Sequence, residues 1–196
     1  MTELLIVRHG ESEWNATGRW QGQANPPLSA RGQDEARGAA GYLAQGALGD
    51  FDAIWSSDLD RAFHTARCIA EALAKPIITT HTGLRERFAG PWEGLTRTEI
   101  EDGWPGFLER FERPEGYEDD EAMLARLLPA LDEIASRVVR AVVVSHGGVI
   151  RTLERHLGAP EDSIVNLASR LFVNNGAGWR IAESHELAKG RDTGLE

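Results

Sequence analysis

The sequence contains two short apolar runs that each end just before a histidine followed by glycine. The first run, Leu4 to Val7, stops at Arg8-His9-Gly10, and the second, Val138 to Val144, stops at Ser145-His146-Gly147. Apolar runs without polar alternation are typical of strands that are buried on both faces, as in a parallel sheet covered by helices. The two runs therefore predict a buried sheet with a histidine just past the carboxyl end of each of two strands.

The rest of the chain alternates between strand-like and helix-like patterns. Further strands are predicted over residues 51–55, 77–80, 171–173 and 179–182, and helices over 29–45, 59–73 and 147–157. Alternating strands and helices predict an α/β fold, here a three-layer α/β/α sandwich with a mostly parallel central sheet. In such sheets ligands bind beyond the carboxyl ends of the strands.

The length of 196 residues suits a single domain over residues 1–196. Residues 84–137 are rich in glycine, proline and charge, and we expect them to form a small helical cap insertion over the edge of the sheet. Within this range the acidic run 118–121 is interpreted as a helix N-terminus, where carboxylates favour the helix dipole, in preference to a metal site. The polar tail after Glu186 is expected to be loosely held.

Charge and composition limit the partners of the chain. The formal net charge of -10 argues against binding to nucleic acid or to an anionic membrane. No apolar stretch is long enough to span a bilayer. The N-terminus lacks the features of a signal peptide, so the expected location is cytoplasmic. Cys68 is the one cysteine, which excludes an intramolecular disulfide.

Three predicted strand ends bring unusual chemistry to one edge of the sheet. They are Arg8-His9, residues 56–58 with Arg61 close behind, and Ser145-His146. Arginine offers a planar fork of donors that fits phosphate oxygens, so two histidines and two arginines favour a phosphate site. Taken alone, either histidine is also explained as a structural turn residue. Arg61 taken alone is better explained by a surface ion pair with Asp58 or Asp60. The chain lacks metal-ligand spacings and a P-loop, so no metal or cofactor is expected.

Six segments in a fixed order resemble the histidine phosphatase superfamily, in the branch that includes cofactor-dependent phosphoglycerate mutase and its small phosphatase relatives. The segments are LIVRHGESEWN (5–15), GRWQG (18–22), LSARG (28–32), SSDLDRA with TA (56–62, 65–66), LRERFAGPWEG (84–94) and VSHGGVIR (144–151). A lone Arg-His-Gly would be weak evidence, whereas this ordered set extends over most of the chain.

The resemblance implies a role for each matched residue. His9 would be the nucleophile, forming a phosphohistidine. The residues implied to hold the phosphoryl oxygens are Arg8, Arg61 and His146. Those implied to bind the phosphate or the adjacent substrate are Asn15, Gln21, Gly22 and the backbone amide of Gly147. Glu86 would be the general acid that protonates the leaving oxygen and then deprotonates the attacking water; an ion pair with Arg85 or Arg87 is the alternative interpretation of Glu86.

The resemblance leaves three functions open. We expect a metal-independent phosphomonoester hydrolase acting on a small phosphorylated metabolite. Classical mutases of the family have a longer insertion after the Trp92-Glu93-Gly94 segment, which shields the phosphohistidine from water, and this chain is short there. Phosphoglycerate mutase activity is the second hypothesis, and a non-catalytic phospho-ligand binding module is the third. An edge strand or the cap is a candidate contact for a homodimer.

Overall fold

The structure is a computed structural model that describes residues 1–46, 48–75, 77–160 and 163–187, so most of the tail after Glu186 lies outside the described residues. The described residues form six strands and six α-helices, with two short 3-10 helices at Thr82–Leu84 and Gly90–Trp92. In chain order the elements are β1 (Thr2–Arg8), α1 (Glu13–Ala16), α2 (Ala30–Ala44), β2 (Ala53–Ser56), α3 (Asp60–Ala72), β3 (Ile78–Thr80), α4 (Arg97–Gly103), α5 (Asp120–Ala135), β4 (Arg140–Ser145), α6 (Gly147–His156), β5 (Ala168–Asn174) and β6 (Trp179–Glu186).

The strands form one sheet in the order β3-β2-β4-β1-β5-β6. The first four strands in this order are parallel, and β5 is antiparallel to both β1 and β6. The predicted mostly parallel central sheet is therefore confirmed. Its antiparallel pairings are confined to the edge formed by β5 and β6.

The register of the parallel strands brings three strand ends to the same level. Arg8 lies opposite Ser145 across the β1–β4 pair, and Ser56 lies opposite Val144 across the β2–β4 pair. Because these strands run in the same direction, the residues that follow them leave the sheet side by side. Those residues are His9, Ser57 and His146.

Helices cover both faces of the sheet, as the apolar runs predicted. In β1, Leu5 and Val7 pack in one core cluster with residues of α2 and α3. Leu4 and Ile6 point the other way, into a cluster with residues of α5 and α6. All four side chains are buried, so successive residues of one strand stabilise opposite layers. The α/β/α arrangement is confirmed.

Several element boundaries differ from the prediction by one to four residues. β2 begins at Ala53 rather than at Phe51, and β4 begins at Arg140 rather than at Val138. The carboxylate of Asp52 explains both shifts, since its Oδ2 accepts hydrogen bonds from the backbone N–H groups of Val139 (3.1 Å) and Arg140 (2.8 Å). The backbone N–H of Asp52 in turn donates to the carbonyl of Arg140 at 2.8 Å, so the Asp52 side chain joins the two strands where the regular ladder begins. Helix α1, which the sequence patterns did not predict, is a single turn.

Helix α5 shows that the predicted cap range contains two different structures. Met123, Leu127 and Leu131 recur every four residues and are fully buried against the sheet, so α5 belongs to the core layer rather than to a cap. Its N-cap is Asp119, whose side chain accepts from the N–H of Ala122 at 2.8 Å. The interpretation of the acidic run as a helix N-terminus is confirmed. We call residues 84–119 the cap segment below.

The cap segment has an aromatic cluster of its own. Trp92 is fully buried and meets Trp20 edge-to-face, with ring centroids 5.1 Å apart. Tyr117 packs against the other side, 5.6 Å from Trp92. Aromatic pairs in this geometry add to the stabilisation from burial alone. The cap segment is thereby held firmly against the loop that contains Gln21 and Gly22.

Candidate active site

The three strand ends meet in a buried cluster at the carboxyl edge of the sheet. His9 and His146 are both fully buried, and their rings lie edge-to-face with centroids 5.2 Å apart. Ser57 follows the neighbouring strand, and its Oγ is 2.9 Å from Nε2 of His146. The convergence expected from the strand ends is therefore present in the structure.

The hydrogen bonds of His9 define its tautomer. Nδ1 lies 2.6 Å from the carbonyl oxygen of Gly10, which can only accept, so Nδ1 bears the proton. Nε2 is then the acceptor nitrogen, and the Nε–H of Arg61 donates to its lone pair at 3.2 Å. The imidazole in this arrangement is neutral, with Nε2 facing a buried guanidinium.

Arg61 is held by backbone carbonyls on its other side. It lies in the first turn of α3 and is fully buried. Nη1 donates to the carbonyl of Ala24 and Nη2 to that of Gly22, each at 2.8 Å. Gly22 has a φ of +50°, and a side chain there would collide with the carboxylate of Glu93. The glycine thus allows the loop to pass close enough to fix the guanidinium.

Arg8 approaches the cluster from β1. Its side chain is 1 % exposed, and its Nη1 donates to the carbonyl of Ile164 at 2.6 Å. Ile164 belongs to the segment that precedes β5, so this bond joins the strand end to a distant part of the chain. The residue that precedes His9 is therefore a second buried arginine beside Arg61.

His146 is the N-cap residue of α6. Burial lowers the pKa of His146 well below its usual value near 6.5, and the positive charge of Arg61 adds to the effect. His146 is therefore neutral at physiological pH. The next residue, Gly147, opens α6 and is buried, and its N–H belongs to the first helical turn, where backbone donors have no partner within the helix.

Glu86 lies at the boundary between the cluster and the cap segment, and it is 4 % exposed. Its Oε2 accepts from the backbone N–H of Gly148 at 3.0 Å, and Oε1 from that of Arg87 at 2.6 Å. A Cβ at position 148 would come within 2.2 Å of Glu86 Oε1, so a larger residue there would displace the carboxylate. Both neighbouring arginines pair with other carboxylates, Arg85 with Asp58 and Arg87 with Asp120.

Two buried amides have unused donors. Ser12 Oγ donates to Oε1 of Gln21 at 2.6 Å, and the N–H of Ser12 donates to Oδ1 of Asn15 at 3.2 Å. These bonds occupy the amide oxygens, while Nδ2 of Asn15 and Nε2 of Gln21 are buried with no hydrogen-bond partner in the described part of the chain. A buried unpaired donor costs about 1–3 kcal/mol. Two such donors beside two arginines favour an anion as the ligand.

The structure adds residues that the sequence analysis did not single out. The buried side chain of Asn166 donates from Nδ2 to the carbonyl of His9 at 3.0 Å. Thr65 Oγ1 accepts from the N–H of Gly10 at 3.1 Å and donates to the carbonyl of Arg61 at 2.8 Å. Thr65 belongs to one of the six segments that resemble the family, so the sequence did contain an indication that it lies near the site. Asn166 lies in a stretch without pattern or motif, so nothing in the sequence marked it.

Over the residues that the structure describes, no group of three or more His, Cys, Asp or Glu side chains is placed to hold a metal ion. Within the same ranges, no helix has both the length and the apolar composition needed to cross a bilayer.

Comparisons with known proteins agree on one family. The sequence profile described as "Histidine phosphatase superfamily (branch 1)" matches residues 4–176. A metal-independent phosphoserine phosphatase from Arabidopsis thaliana is 36 % identical, over 78 % of this chain and 67 % of that protein. A 2,3-bisphosphoglycerate-dependent phosphoglycerate mutase from Bradyrhizobium sp. (strain ORS 278) is 35 % identical, over 76 % of this chain and 78 % of the mutase.

A solved structure agrees with the sequence relatives. A mycobacterial glucosyl-3-phosphoglycerate phosphatase in complex with VO3 superposes with a TM-score of 0.82 at 28 % identity, and the match covers 93 % of this chain and 98 % of that one. The family profile covers well over half of the chain, and phosphatases occur among both the sequence relatives and the structural neighbours. The chain is therefore a phosphatase enzyme that belongs to branch 1 of the histidine phosphatase superfamily.

Proposed function

We propose that this enzyme hydrolyses a small phosphate monoester by way of a phosphohistidine on His9, without a metal ion. The observation that supports this most is the tautomer of His9, in which Nδ1 donates to the Gly10 carbonyl and the lone pair of Nε2 faces the guanidinium of Arg61 inside a buried cluster of donors. A neutral imidazole is a competent nucleophile near neutral pH. The donors around it would bind the three phosphoryl oxygens, whose charge a metal ion would otherwise neutralise.

The first step would transfer the phosphoryl group to the enzyme. Nε2 of His9 attacks phosphorus, the bond from phosphorus to the ester oxygen breaks, and the Glu86 carboxyl gives its proton to the departing oxygen. Arg8 and Arg61 hold the phosphoryl oxygens as the transition state spreads its charge over them. Because its pKa is lowered, His146 binds as a neutral N–H donor and does not compete for the proton.

The second step would return the enzyme to its starting state. Glu86, now a carboxylate, removes a proton from water, and the resulting hydroxide oxygen attacks phosphorus. The bond from phosphorus to Nε2 breaks, phosphate leaves, and the electron pair returns to His9. The fixed contacts of Glu86 with the N–H groups of Gly148 and Arg87 hold the carboxyl in one place for both proton transfers.

Phosphoglycerate mutase activity is the second candidate, because a mutase is among the relatives. We favour hydrolysis because the segment after Trp92-Glu93-Gly94 is short, and because the pocket lined by Gln21, Gly22 and Glu86 adjoins an open cavity of about 460 Å³, from which water would approach the phosphoenzyme. Incubation with 3-phosphoglycerate primed by the bisphosphate distinguishes the two. Free phosphate supports the hydrolase, and accumulation of the 2-isomer supports the mutase.

Turnover of p-nitrophenyl phosphate by the wild type and by His9→Ala tests the proposal. We expect the substitution to abolish turnover, and EDTA to leave the wild-type rate unchanged. Turnover that survives in His9→Ala would exclude the phosphohistidine, and complete lack of turnover in the wild type on any phosphate ester would favour the non-catalytic binding module. The cytoplasmic location, the homodimer and the absence of nucleic-acid binding stay predictions from the sequence.

A further inference from the structure

The segment of residues 83–86, which ends in Glu86, begins in the short 3-10 helix Thr82–Leu84 and continues as irregular chain. Each of its four backbone carbonyls accepts a hydrogen bond from a side chain in another part of the molecule. Oγ of Ser145, at the end of β4, donates to the carbonyl of Leu84 at 2.8 Å. The other three carbonyls all accept from Arg126 in α5. The backbone that carries Glu86 is therefore held by side chains of the core elements.

Arg126 uses all five of its N–H donors around this segment. Nη1 donates to the carbonyls of Gly83 (2.9 Å) and Arg85 (2.8 Å), and Nη2 donates to that of Glu86 (3.0 Å). The donors that remain, on Nε and Nη2, form a paired contact with the carboxylate of Glu118 at 2.7 and 2.8 Å. A guanidinium has five donors in one rigid plane, and all five are occupied here. The contribution of Arg126 is therefore to the arrangement of the chain rather than to binding a ligand.

Glu118 connects the same guanidinium to the chain on the other side of Glu86. Its Oε2 accepts from the backbone N–H of Phe88 at 3.0 Å, and its own backbone N–H donates to the Phe88 carbonyl at 2.9 Å. The side chains of the ion pair, Arg126 and Glu118, are 23 % and 13 % exposed. This partly buried pair holds the backbone both before and after Glu86.

The segment also packs against α5 without a gap. A Cβ at position 83 would come within 2.7 Å of the carbonyl oxygen of Arg126 and within 2.8 Å of Cβ of Ala130. Gly83 thus allows a close approach of the two backbones that a larger residue would prevent. At this distance one guanidinium reaches three carbonyls of the segment.

We propose that Arg126 is a positioning residue for proton transfer by Glu86. By holding the carbonyls of residues 83, 85 and 86, it fixes the backbone from which the Glu86 side chain extends, and with it the distance from the carboxyl to the leaving oxygen. Proton transfer requires hydrogen-bond reach, and a displacement of about 1 Å can cost about 10²-fold in rate. This inference rests on the proposed function, because it takes Glu86 to be the general acid.

Arg126→Lys tests the proposal with two substrates that differ in their leaving groups. Lysine keeps the charge, but its single ammonium group cannot reach three carbonyls and a carboxylate at once. We expect kcat/KM for an alkyl phosphate to fall by on the order of tenfold, and that for p-nitrophenyl phosphate by less than about twofold, since nitrophenolate leaves without protonation. A purely structural role would lower both values by the same factor.

Arg140→Lys is the matched control. Arg140 pairs with Glu3 at 2.8 Å, and its side chain is 25 % exposed, close to the exposure of Arg126. It lies at the start of β4, at the edge of the sheet opposite the site. We expect this variant to leave the ratio of kcat/KM for the two substrates unchanged.

The backbone N–H of Gly148 provides a measurement that does not depend on activity, because it donates to Oε2 of Glu86. We expect its amide NMR chemical shift to move in Arg126→Lys and to stay in place in Arg140→Lys. If Arg126→Lys does not fold, Glu118→Gln weakens the same network, and it should give a smaller loss with the same preference for the alkyl phosphate.

The positioning role and the proposed function fail in different ways. An unchanged Gly148 shift, or equal losses of kcat/KM for both substrates in Arg126→Lys, would overturn the positioning role while hydrolysis through His9 stands. If Glu86→Gln lowers kcat/KM equally for both substrates, the general acid of the proposed function is wrong. The Gly148 shift then decides alone whether Arg126 holds the Glu86 carboxyl in place, and an unchanged shift overturns that as well.

Discussion

The Nε–H of Arg61 donates a 3.2 Å hydrogen bond to Nε2 of His9, the nitrogen that the His9–Gly10 contact leaves as an acceptor. Arginine keeps its proton in proteins, so the guanidinium donates a hydrogen bond to the imidazole without transferring a proton to it. An anion bound to Arg61 would therefore lie next to Nε2 of His9. Under the proposed mechanism, this contact brings the phosphate-binding group and the nucleophile together.

Arg61→Lys tests the geometry of this contact. Lysine keeps the charge but cannot reach His9, Gly22 and Ala24 with one planar group, so we expect kcat/KM to fall by about 10²–10³-fold. Arg67→Lys is the control, because Arg67 is exposed on the same helix and should tolerate the change. Equal kcat/KM values for Arg61→Lys and the wild type would show that charge alone is required.

Glu86→Gln tests proton transfer to the leaving oxygen. Glutamine can still accept from the N–H of Gly148, but it has no proton to give. We expect hydrolysis of alkyl phosphates to fall by about 10²–10⁴-fold, while phosphoenzyme formation from p-nitrophenyl phosphate falls far less because nitrophenolate leaves without protonation. Single-turnover rates for the two substrates give the comparison. A similar loss for both would assign Glu86 a structural role.

Asn166→Ala tests whether the bond to the His9 carbonyl positions the nucleophile. We expect kcat to fall by about tenfold with little change in KM, because the substitution releases the backbone of His9 and leaves the phosphate donors in place. Ser169→Ala is the matched control, because the hydroxyl of the buried Ser169 donates to the carbonyl of His185, which lies outside the site. If the two variants lose stability and activity in parallel, Asn166 acts only on folding.

The depressed pKa of His146 predicts a dependence of stability on pH. Below about pH 6.5 the unfolded chain binds a proton at this histidine while the folded chain stays neutral, so the free energy of unfolding should decrease as the pH falls through that value. The slope from this one group is at most about 1.4 kcal/mol per pH unit. Urea unfolding between pH 5 and 7.5 measures it, and His146→Gln should show a shallower slope. Parallel slopes would contradict the assignment.

The sequence predicted that His9 and His146 lie at the same edge of the sheet, because each directly follows an apolar run that is typical of a buried parallel strand. Runs that end at the same edge of a parallel sheet must bring their following residues together. The roles assigned to Asn15 and Gln21 came from the family resemblance alone, and the structure adds that their oxygens are engaged while their donors are not.

Other features depend on tertiary contacts that no local pattern records. Asn166 is distant from His9 in sequence, and only the return of the chain into β5 brings them together. Helix α5 was included in the cap because glycine, proline and charge dominate residues 84–137, yet its buried stripe of Met123, Leu127 and Leu131 belongs to the core. Average composition over a long range concealed a periodic pattern within it.

Trapping the covalent intermediate tests the central claim most directly. Wild-type enzyme mixed with substrate, quenched within milliseconds and digested should yield a peptide phosphorylated at His9. The phosphate should be lost in acid and retained in alkali, as expected for phosphorus bound to nitrogen, and His9→Ala should yield none. A phosphate on any other residue, or steady turnover by His9→Ala, would contradict the account.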